Sequence, residues 1–225
     1  MSAVSLGRRV VAEGLGTAML LAVVVGSGIM AERLSNGNLA LALLANSVAT
    51  GAGLVALILA FGSVSGAHFN PAVTLAAVGL RELRPGHAVA YVAAQCVGAL
   101  VGVVVAHAMY GVELVSVFTH PRAGAPLVWS EAVATFGLLA VIHAVSRRRP
   151  DATPLAVGLY ITSAYWFTAS TSFANPAVTL ARTVTRTFAG IRAEDAPGFV
   201  FGQLVGAAAA TMLLRWLVPP ENARS

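Results

Sequence analysis

The chain has 225 residues, of which 57% are hydrophobic and 10% charged, and its mean hydropathy is +0.80. Charged residues normally make up about a quarter of a soluble domain, so this composition excludes a water-soluble globule and puts the excess apolar surface against lipid. All 14 basic residues are arginines, against nine acids, for a net charge of +5; they fall in short clusters between apolar runs, as cytoplasmic positive charge does, and form no continuous basic face for nucleic acid.

Six apolar runs with at most one charge each predict spanning helices over about 10–31, 39–61, 87–110, 129–146, 154–169 and 197–218. Each approaches the roughly 20 residues a helix needs to cross about 30 Å of hydrocarbon, the fifth being short. Arg8 and Arg9 before the first run resemble the start of a signal peptide, but five further runs follow, so the first reads as a retained span. No charge occurs between Arg33 and Arg81, which leaves room for the second span and an extra apolar segment around 62–79. The third run holds Cys96, the single cysteine, which excludes an intrachain disulfide and reads as a small packing residue. Between Asp151 and Arg182 the chain is again uncharged and holds the fifth span and a second extra segment, 170–181. Both extra segments contain Asn-Pro, and a helix broken in lipid leaves backbone groups unpaired, so both must be buried in protein or line a wet cavity.

With six spans, Arg8, Arg9, Arg81, Arg84, Arg147, Arg148, Arg149, Arg215 and Arg224 share the side of the termini, and Arg33, Arg122, Arg182, Arg186 and Arg192 lie opposite. That asymmetry predicts both termini in the cytoplasm and a multi-pass protein of the inner (plasma) membrane. Trp129, Trp166 and Trp216 fall near span ends, where interfacial anchors belong.

The sequence also repeats itself. AEGLGTAMLLAVVV at 12–25 answers SEAVATFGLLAVIH at 130–143, HFNPAVTLA at 68–76 answers FANPAVTLA at 173–181, and AQCVGA at 94–99 answers GQLVGA at 202–207. The separations of 118, 105 and 108 residues keep the order through half a chain. Repeat one covers about 8–110 and repeat two about 128–218, within one transmembrane domain over 1–225. Three spans per repeat is an odd number, so the second repeat enters the membrane from the opposite side, an inverted repeat whose site lies near the midplane. Each broken segment reads as a half-helix: Pro71 and Pro176 at the first helical position, Asn70 and Asn175 as caps, Ala72 and Ala177 continuing the helix. Two half-helices entering from opposite sides aim two positive dipole ends at one point, which disfavours cations and offers the asparagine amides to a neutral solute.

SGAHFNPAVT at 65–74, the second Asn-Pro-Ala at 175–177, the glutamates at 13 and 131 and AQCVGA in the third span resemble the aquaporin, or major intrinsic protein, family over nearly the whole chain. The resemblance implies an all-α membrane protein of six transmembrane helices and two half-helices, a pore in each protomer, a homotetramer in the bilayer and no cofactor. It also implies that Glu13 and Glu131 brace the loops that carry the motifs, since an acid inside a span must find partners. His68 reads as loop-bracing or pore-lining, and Gln95 and Gln203 as interhelical packing and hydrogen bonding.

The chain departs from the family where members that select water, and most that pass glycerol, carry an arginine directly after the second motif; here that residue is Val178. Carrying over the other constriction positions by their distance from the motifs gives Thr50, Ser163 and Ser172, a wide, neutral, mildly polar ring lacking aromatic, His and Arg. Arg182, one turn beyond Val178, reads either as a group at the outer mouth that partly replaces the missing charge or as a solvated or headgroup arginine; Arg186, another turn on, favours the second. NPAVTLAR with AYWFTASTSFANPAV resembles a bacterial subgroup associated with arsenic-resistance genes, which makes arsenous acid a leading substrate. The sequence does not separate it from glycerol, urea, antimonite or methylated arsenicals. The expectation is a passive channel for small uncharged solutes with some water; the alternatives are a water channel, a secondary active transporter and an ion channel. No metal-ligand spacing, phosphate loop or activated nucleophile supports an enzyme, and His87, His107, His120 and His143 are scattered among spans and loops.

Overall fold

The computed structural model describes residues 4–117 and 121–217; His120, Arg224 and the last residue of the sixth expected span lie outside them. Among the described residues the regular structure is entirely helical: α1 (Leu6–Leu34), α2 (Leu39–Ser65), α3 (Pro71–Gly79), α4 (Pro85–Tyr110), α5 (Ala125–Ser146), α6 (Thr153–Phe167), α7 (Pro176–Ala181) and α8 (Ala196–Leu217), with short 3-10 turns at Pro150–Ala152 and Arg182–Val184. The ends follow from local chemistry. The Asn38 side chain accepts from the Leu41 amide (3.1 Å) to start α2, and Gly66 ends it at φ 90, a left-handed conformation that glycine adopts without strain. Proline stands in the first turn of α3, α4, α5, α6 and α7, where a missing N–H has no helical partner to lose.

Five of these helices are long and apolar enough to cross a membrane. α6 is the exception at 15 residues, or about 22 Å at the α-helical rise. The 3-10 turn before it lengthens the crossing on one side. On the other, the chain leaves the helix at Thr168 while still inside the protein and descends to the second motif. α1 and α2 run past the expected spans of 10–31 and 39–61, because Arg33 sits in the last turn of α1 and no breaker precedes Gly66.

Six crossings bring both ends of the described chain to one side, called here the terminal side. The packing repeats between the halves: α1 lies on α4 and α2 as α5 lies on α8 and α6, and α2 lies on α6 between the halves. Each half-helix wedges between the same two long helices, α3 and α7 both touching α4 and α8. Leu15, Met19, Leu59, Val97, Phe201 and Met212 are exposed, while Glu13, Gln95, Glu131 and Gln203 are fully buried. A polar interior inside an apolar exterior is the arrangement lipid selects. Trp129, Trp166 and Trp216 are exposed, and the Trp166 indole N–H donates to the Ser47 hydroxyl at 3.1 Å.

The helices approach closely at glycine. A Cβ on Gly98 of α4 would overlap the carbonyl oxygen of Gly14 on α1, and one on Gly206 of α8 would overlap that of Ala132 on α5. Without a hydrophobic drive between helices in lipid, this backbone contact supplies the packing energy. Gly98→Val should therefore destabilise the fold by about 3 kcal/mol, the upper part of the overpacking range. The check is the melting temperature of purified protein in detergent, which should fall by several degrees.

Candidate functional site

Two buried glutamates hold the segments that interrupt the membrane helices. Glu13 Oε1 accepts from the Ser65 hydroxyl (2.6 Å) and the His68 amide (3.0 Å), and its Oε2 from the Phe69 amide (2.7 Å) and Gln95 Nε2 (2.8 Å). Glu131 Oε1 accepts from the Phe173 amide (2.9 Å), and its Oε2 from the Ala174 amide (2.8 Å) and Gln203 Nε2 (2.6 Å). The two glutamines also donate to the half-helices, Gln95 to Thr74 Oγ1 at 2.9 Å and Gln203 to Thr179 Oγ1 at 2.8 Å. His68 is hydrogen-bonded through Nδ1 to Thr74 Oγ1 (3.1 Å) and packs its edge on Tyr91. The braced segments take left-handed conformations at Ala67 (φ 50) and Phe69 (φ 48), and at Ser172 (φ 49) and Ala174 (φ 48). Such a residue costs about 1–2 kcal/mol, and the charge-assisted bonds to each carboxylate offset it.

The segments deliver two asparagines to one point. Asn70 Oδ1 accepts from the Ala72 amide (2.8 Å), and Asn175 Oδ1 from the Ala177 (3.0 Å) and Val178 (3.3 Å) amides, so each caps its own half-helix. Each Nδ2 crosses to the other half: Asn70 donates to the Ala174 carbonyl (2.7 Å) and Asn175 to the Phe69 carbonyl (2.8 Å). An amide nitrogen carries two hydrogens, so each asparagine keeps one donor in hand. One cavity of about 270 Å³ runs from Glu82, Ser146 and Thr153 on the terminal side, past Asn70 and Asn175, to Thr50, Tyr165 and Arg182 on the far side.

The far-side wall carries hydroxyls and a cation. Thr50 Oγ1 and the Tyr165 hydroxyl lie 3.3 Å apart. Ser172 is buried, and its Oγ has no hydrogen-bond partner among the described residues. Val178 and Arg182 line the same end, both buried. Arg182 Nε donates to the Ala189 carbonyl, and its guanidinium carbon stands 3.4 Å from the centre of the Phe173 ring. Arg122 approaches the same ring at 5.8 Å and donates to the Phe188 carbonyl at 3.3 Å. The loop carrying it is tied down where α8 begins, the Arg122 amide donating to Asp195 Oδ2 at 2.7 Å. Arg192 grips both oxygens of Asp195 at 2.8 Å and, with the Arg122 amide, holds that carboxyl below its ordinary range although its burial pulls the other way. At the terminal-side mouth, burial pushes the Glu82 carboxyl up, against the pull of Arg147 3.7 Å away.

The chain matches the model of the major intrinsic protein (MIP) family over residues 1–172 and 151–225. The chain belongs to this family. It is a family of membrane channels, not of enzymes. Aquaglyceroporin AqpS of Rhizobium meliloti (strain 1021) is 53% identical over 223 residues, covering 99% of this chain and 95% of that one. Probable aquaporin AqpM of Archaeoglobus fulgidus is 30% identical over 242 residues, covering 95% of this chain and 98% of that one. The aquaglyceroporin of Plasmodium falciparum superposes with a TM-score of 0.81 over 98% of this chain and 100% of that one; at 19% identity it speaks for the fold.

Within this aquaporin-type channel the structure brings together Asn70, Asn175, Thr50, Ser172, Val178, Arg182 and His68 on one cavity. Ser163 is not among them. It is exposed and donates to the Tyr160 carbonyl one turn back at 2.7 Å. Tyr165 stands in its place. Two residues along a helix turn the side chain by about 200°, so counting 12 residues back from Asn175 selects the outer face of α6, and counting 10 selects the lumen. Hence the far-side wall of the cavity is not free of aromatic and cationic groups as the sequence suggested: Tyr165 and Arg182 both line it. The reading of Arg182 as a solvated or headgroup group also gives way, since it is 3% exposed. The α7 helix ends at Ala181, and the 3-10 turn that follows carries Arg182 inward over Phe173. Arg122 escaped attention because it lies in a loop distant in sequence; its only signal was its place among the five arginines opposite the termini.

Glu131→Ala would leave the Phe173 and Ala174 amides buried without partners, at about 1–3 kcal/mol each. Expected is a melting temperature in detergent well below that of the parent, with water flux per protein molecule reduced in proteoliposomes. An unchanged melting temperature would contradict the bracing geometry.

Proposed function

We propose that the chain is a passive channel for small uncharged solutes: glycerol and related polyols, arsenous acid as the leading metalloid hydroxide, and water with them. The observation that carries this reading is the 270 Å³ cavity that passes both asparagines and is walled at its far end by Thr50, Tyr165, Ser172 and Val178. Three of those residues present hydroxyls, and Val178 presents a methyl edge where water-selective members place an arginine. A molecule with several hydroxyls can exchange hydrogen bonds with such a ring while its carbon or arsenic face meets Val178. The 53% identity to a protein named an aquaglyceroporin supports the same solute class. In this reading Asn70-Pro71-Ala72 and Asn175-Pro176-Ala177 form the midpoint of the path, Glu13, Glu131 and His68 hold it, and Arg182 stands at the outer mouth. The protein works as a homotetramer in the inner (plasma) membrane, each protomer with its own pore and the terminal side facing the cytoplasm.

Charge selection follows from the same geometry. Two half-helix N-termini meet at the asparagines, and the Arg182 guanidinium lies deeper in the wall than a surface charge would. Both oppose cations where water is scarce. Glu13 and Glu131 are engaged by backbone amides, serine and glutamine, so neither is free to couple an ion. A water channel is the second reading, favoured by the presence of Tyr165 and Arg182 in the constriction.

Stopped-flow light scattering on proteoliposomes tests both. Glycerol and arsenous acid gradients should give re-swelling faster than lipid alone, with a sucrose gradient reporting water. Fast water flux without solute re-swelling would establish the water channel instead. Val178→Arg adds bulk and charge to the ring; it should slow glycerol and arsenous acid at least about tenfold, equivalent to about 1.4 kcal/mol of barrier, and leave water within about twofold. Unchanged solute flux in well-folded variant protein would remove Val178 from the constriction.

A further inference from the structure

The terminal-side half of the cavity ends in a polar cluster that bracing does not explain. His143, near the end of α5, lines the cavity; it is 5% exposed, and its Nε2 is buried without a hydrogen-bond partner among the described residues. Thr153, the first residue of α6, lines the same end, and its Oγ1 is likewise buried and without a partner among them. Ser146 and Glu82 complete this mouth, the latter engaged with Arg147. Between the cluster and the asparagines the wall has two faces, Val73, Leu139, Ile142 and Val157 on one and Gly66, Ala67 and His68 on the other.

The internal repeat shows that the imidazole is not needed for packing. His143 corresponds to Val25, 118 residues earlier, which is fully buried in the apolar core. Glu131 and Gln203 answer Glu13 and Gln95 like for like, whereas this position is apolar in one half and imidazole in the other. A buried polar atom without a partner costs about 1–3 kcal/mol. Both side chains line the conduit, where a change of rotamer turns each polar atom toward what moves through.

We propose that His143 and Thr153 form a second polar station in the pore, selecting for neutral solutes that carry several hydroxyls. The station rests on the reading of the cavity as the conduction path. A polyol leaving the asparagine pair passes this two-faced stretch and meets further hydrogen-bonding groups at the imidazole and the threonine hydroxyl. Water, small enough to keep water neighbours in file, depends on the station less. His143 is therefore specificity-determining, and its removal changes the ratio of solutes rather than total flow.

The test uses full-length protein in proteoliposomes, with glycerol as probe and a sucrose gradient for water. His143→Leu should lower glycerol permeability about fivefold, the scale of one lost hydrogen bond, with water within about twofold. His143→Asn, which keeps a donor and an acceptor, should restore most of the glycerol flux. Thr153→Val, which removes only the hydroxyl at nearly constant volume, should lower glycerol about twofold and serves alone if His143→Leu does not fold. A conducting parent whose glycerol-to-water ratio is unmoved by Thr153→Val or by folded His143→Leu overturns this proposal and leaves the pore reading intact. So does a His143→Asn variant as poor as His143→Leu. A parent no faster than lipid alone overturns the pore reading, and the station with it.

Discussion

Everything in this structure depends on how two stretches of backbone stop being helix inside a membrane. Lipid offers no hydrogen bonds, so a chain that breaks its helix at mid-depth must find partners within the protein. Here the partners are two carboxylates. Glu13 takes the amides of His68 and Phe69, and Glu131 those of Phe173 and Ala174. Burying a carboxylate is itself expensive, and it is tolerated because serine and glutamine donors fill the remaining lone pairs. Neither the carboxylates nor the broken segments would be tolerable in lipid alone, and together they position Asn70 and Asn175. The carbonyls of Phe69 and Ala174, turned by left-handed residues, then each accept from the asparagine of the other half. The midpoint of the pore is thus locked by bonds that exist only when both halves are folded.

Most of this was legible in the sequence for a physical reason. A charge or an amide in an apolar span has few solutions, and the same residue at the same place in two repeats has fewer. Glu13 with Glu131, Gln95 with Gln203 and the two Asn-Pro-Ala triplets could therefore be read as a set. Gln95 and Gln203 turned out to do more than pack helices: each joins a brace glutamate to a half-helix threonine. The constriction was less legible because it depends on loop length and helix phase. The chain from Thr168 to Asn175 sets which residue of α6 faces the lumen, and an error of two residues exchanges Tyr165 for Ser163. Arg182 was ambiguous for a related reason. Ideal helical continuation carries it outward with Arg186, whereas α7 stops at Ala181 and the tighter turn redirects it.

The halves match in their braces and differ in their mouths. On the far side two guanidinium groups share the Phe173 ring, and Arg182 is fixed further by the Ala189 carbonyl. Attraction to a ring face lets a guanidinium remain charged where water is scarce, and the carbonyl fixes its orientation. On the terminal side the ionic pair Glu82 and Arg147 stands at the rim, and His143 and Thr153 lie inside it. A symmetric pore built from a duplicated half would present the same chemistry at both ends. The glutamates, glutamines and asparagines that lock the midpoint are the same in both halves, whereas these lumen-lining positions differ without unlocking the asparagine pair.

Under the proposed function, the place of the arginine bears on what the constriction discriminates. An arginine at the position of Val178 would occupy the ring itself, setting both its bore and its charge. One turn on, at Arg182, the charge lies in the wall, and in the proposed function the bore belongs to Thr50, Tyr165, Ser172 and Val178, which line the same cavity. Size and charge selection would thereby be separated along the path. Cations meet the guanidinium and the half-helix ends whatever the bore, so the ring can widen without admitting them. The hydroxyls of Thr50, Tyr165 and Ser172 can then serve a neutral molecule larger than water, with the methyl groups of Val178 against its less polar face. A pore can thus accept solutes of glycerol size without surrendering its barrier to ions, because the two barriers no longer reside in one side chain.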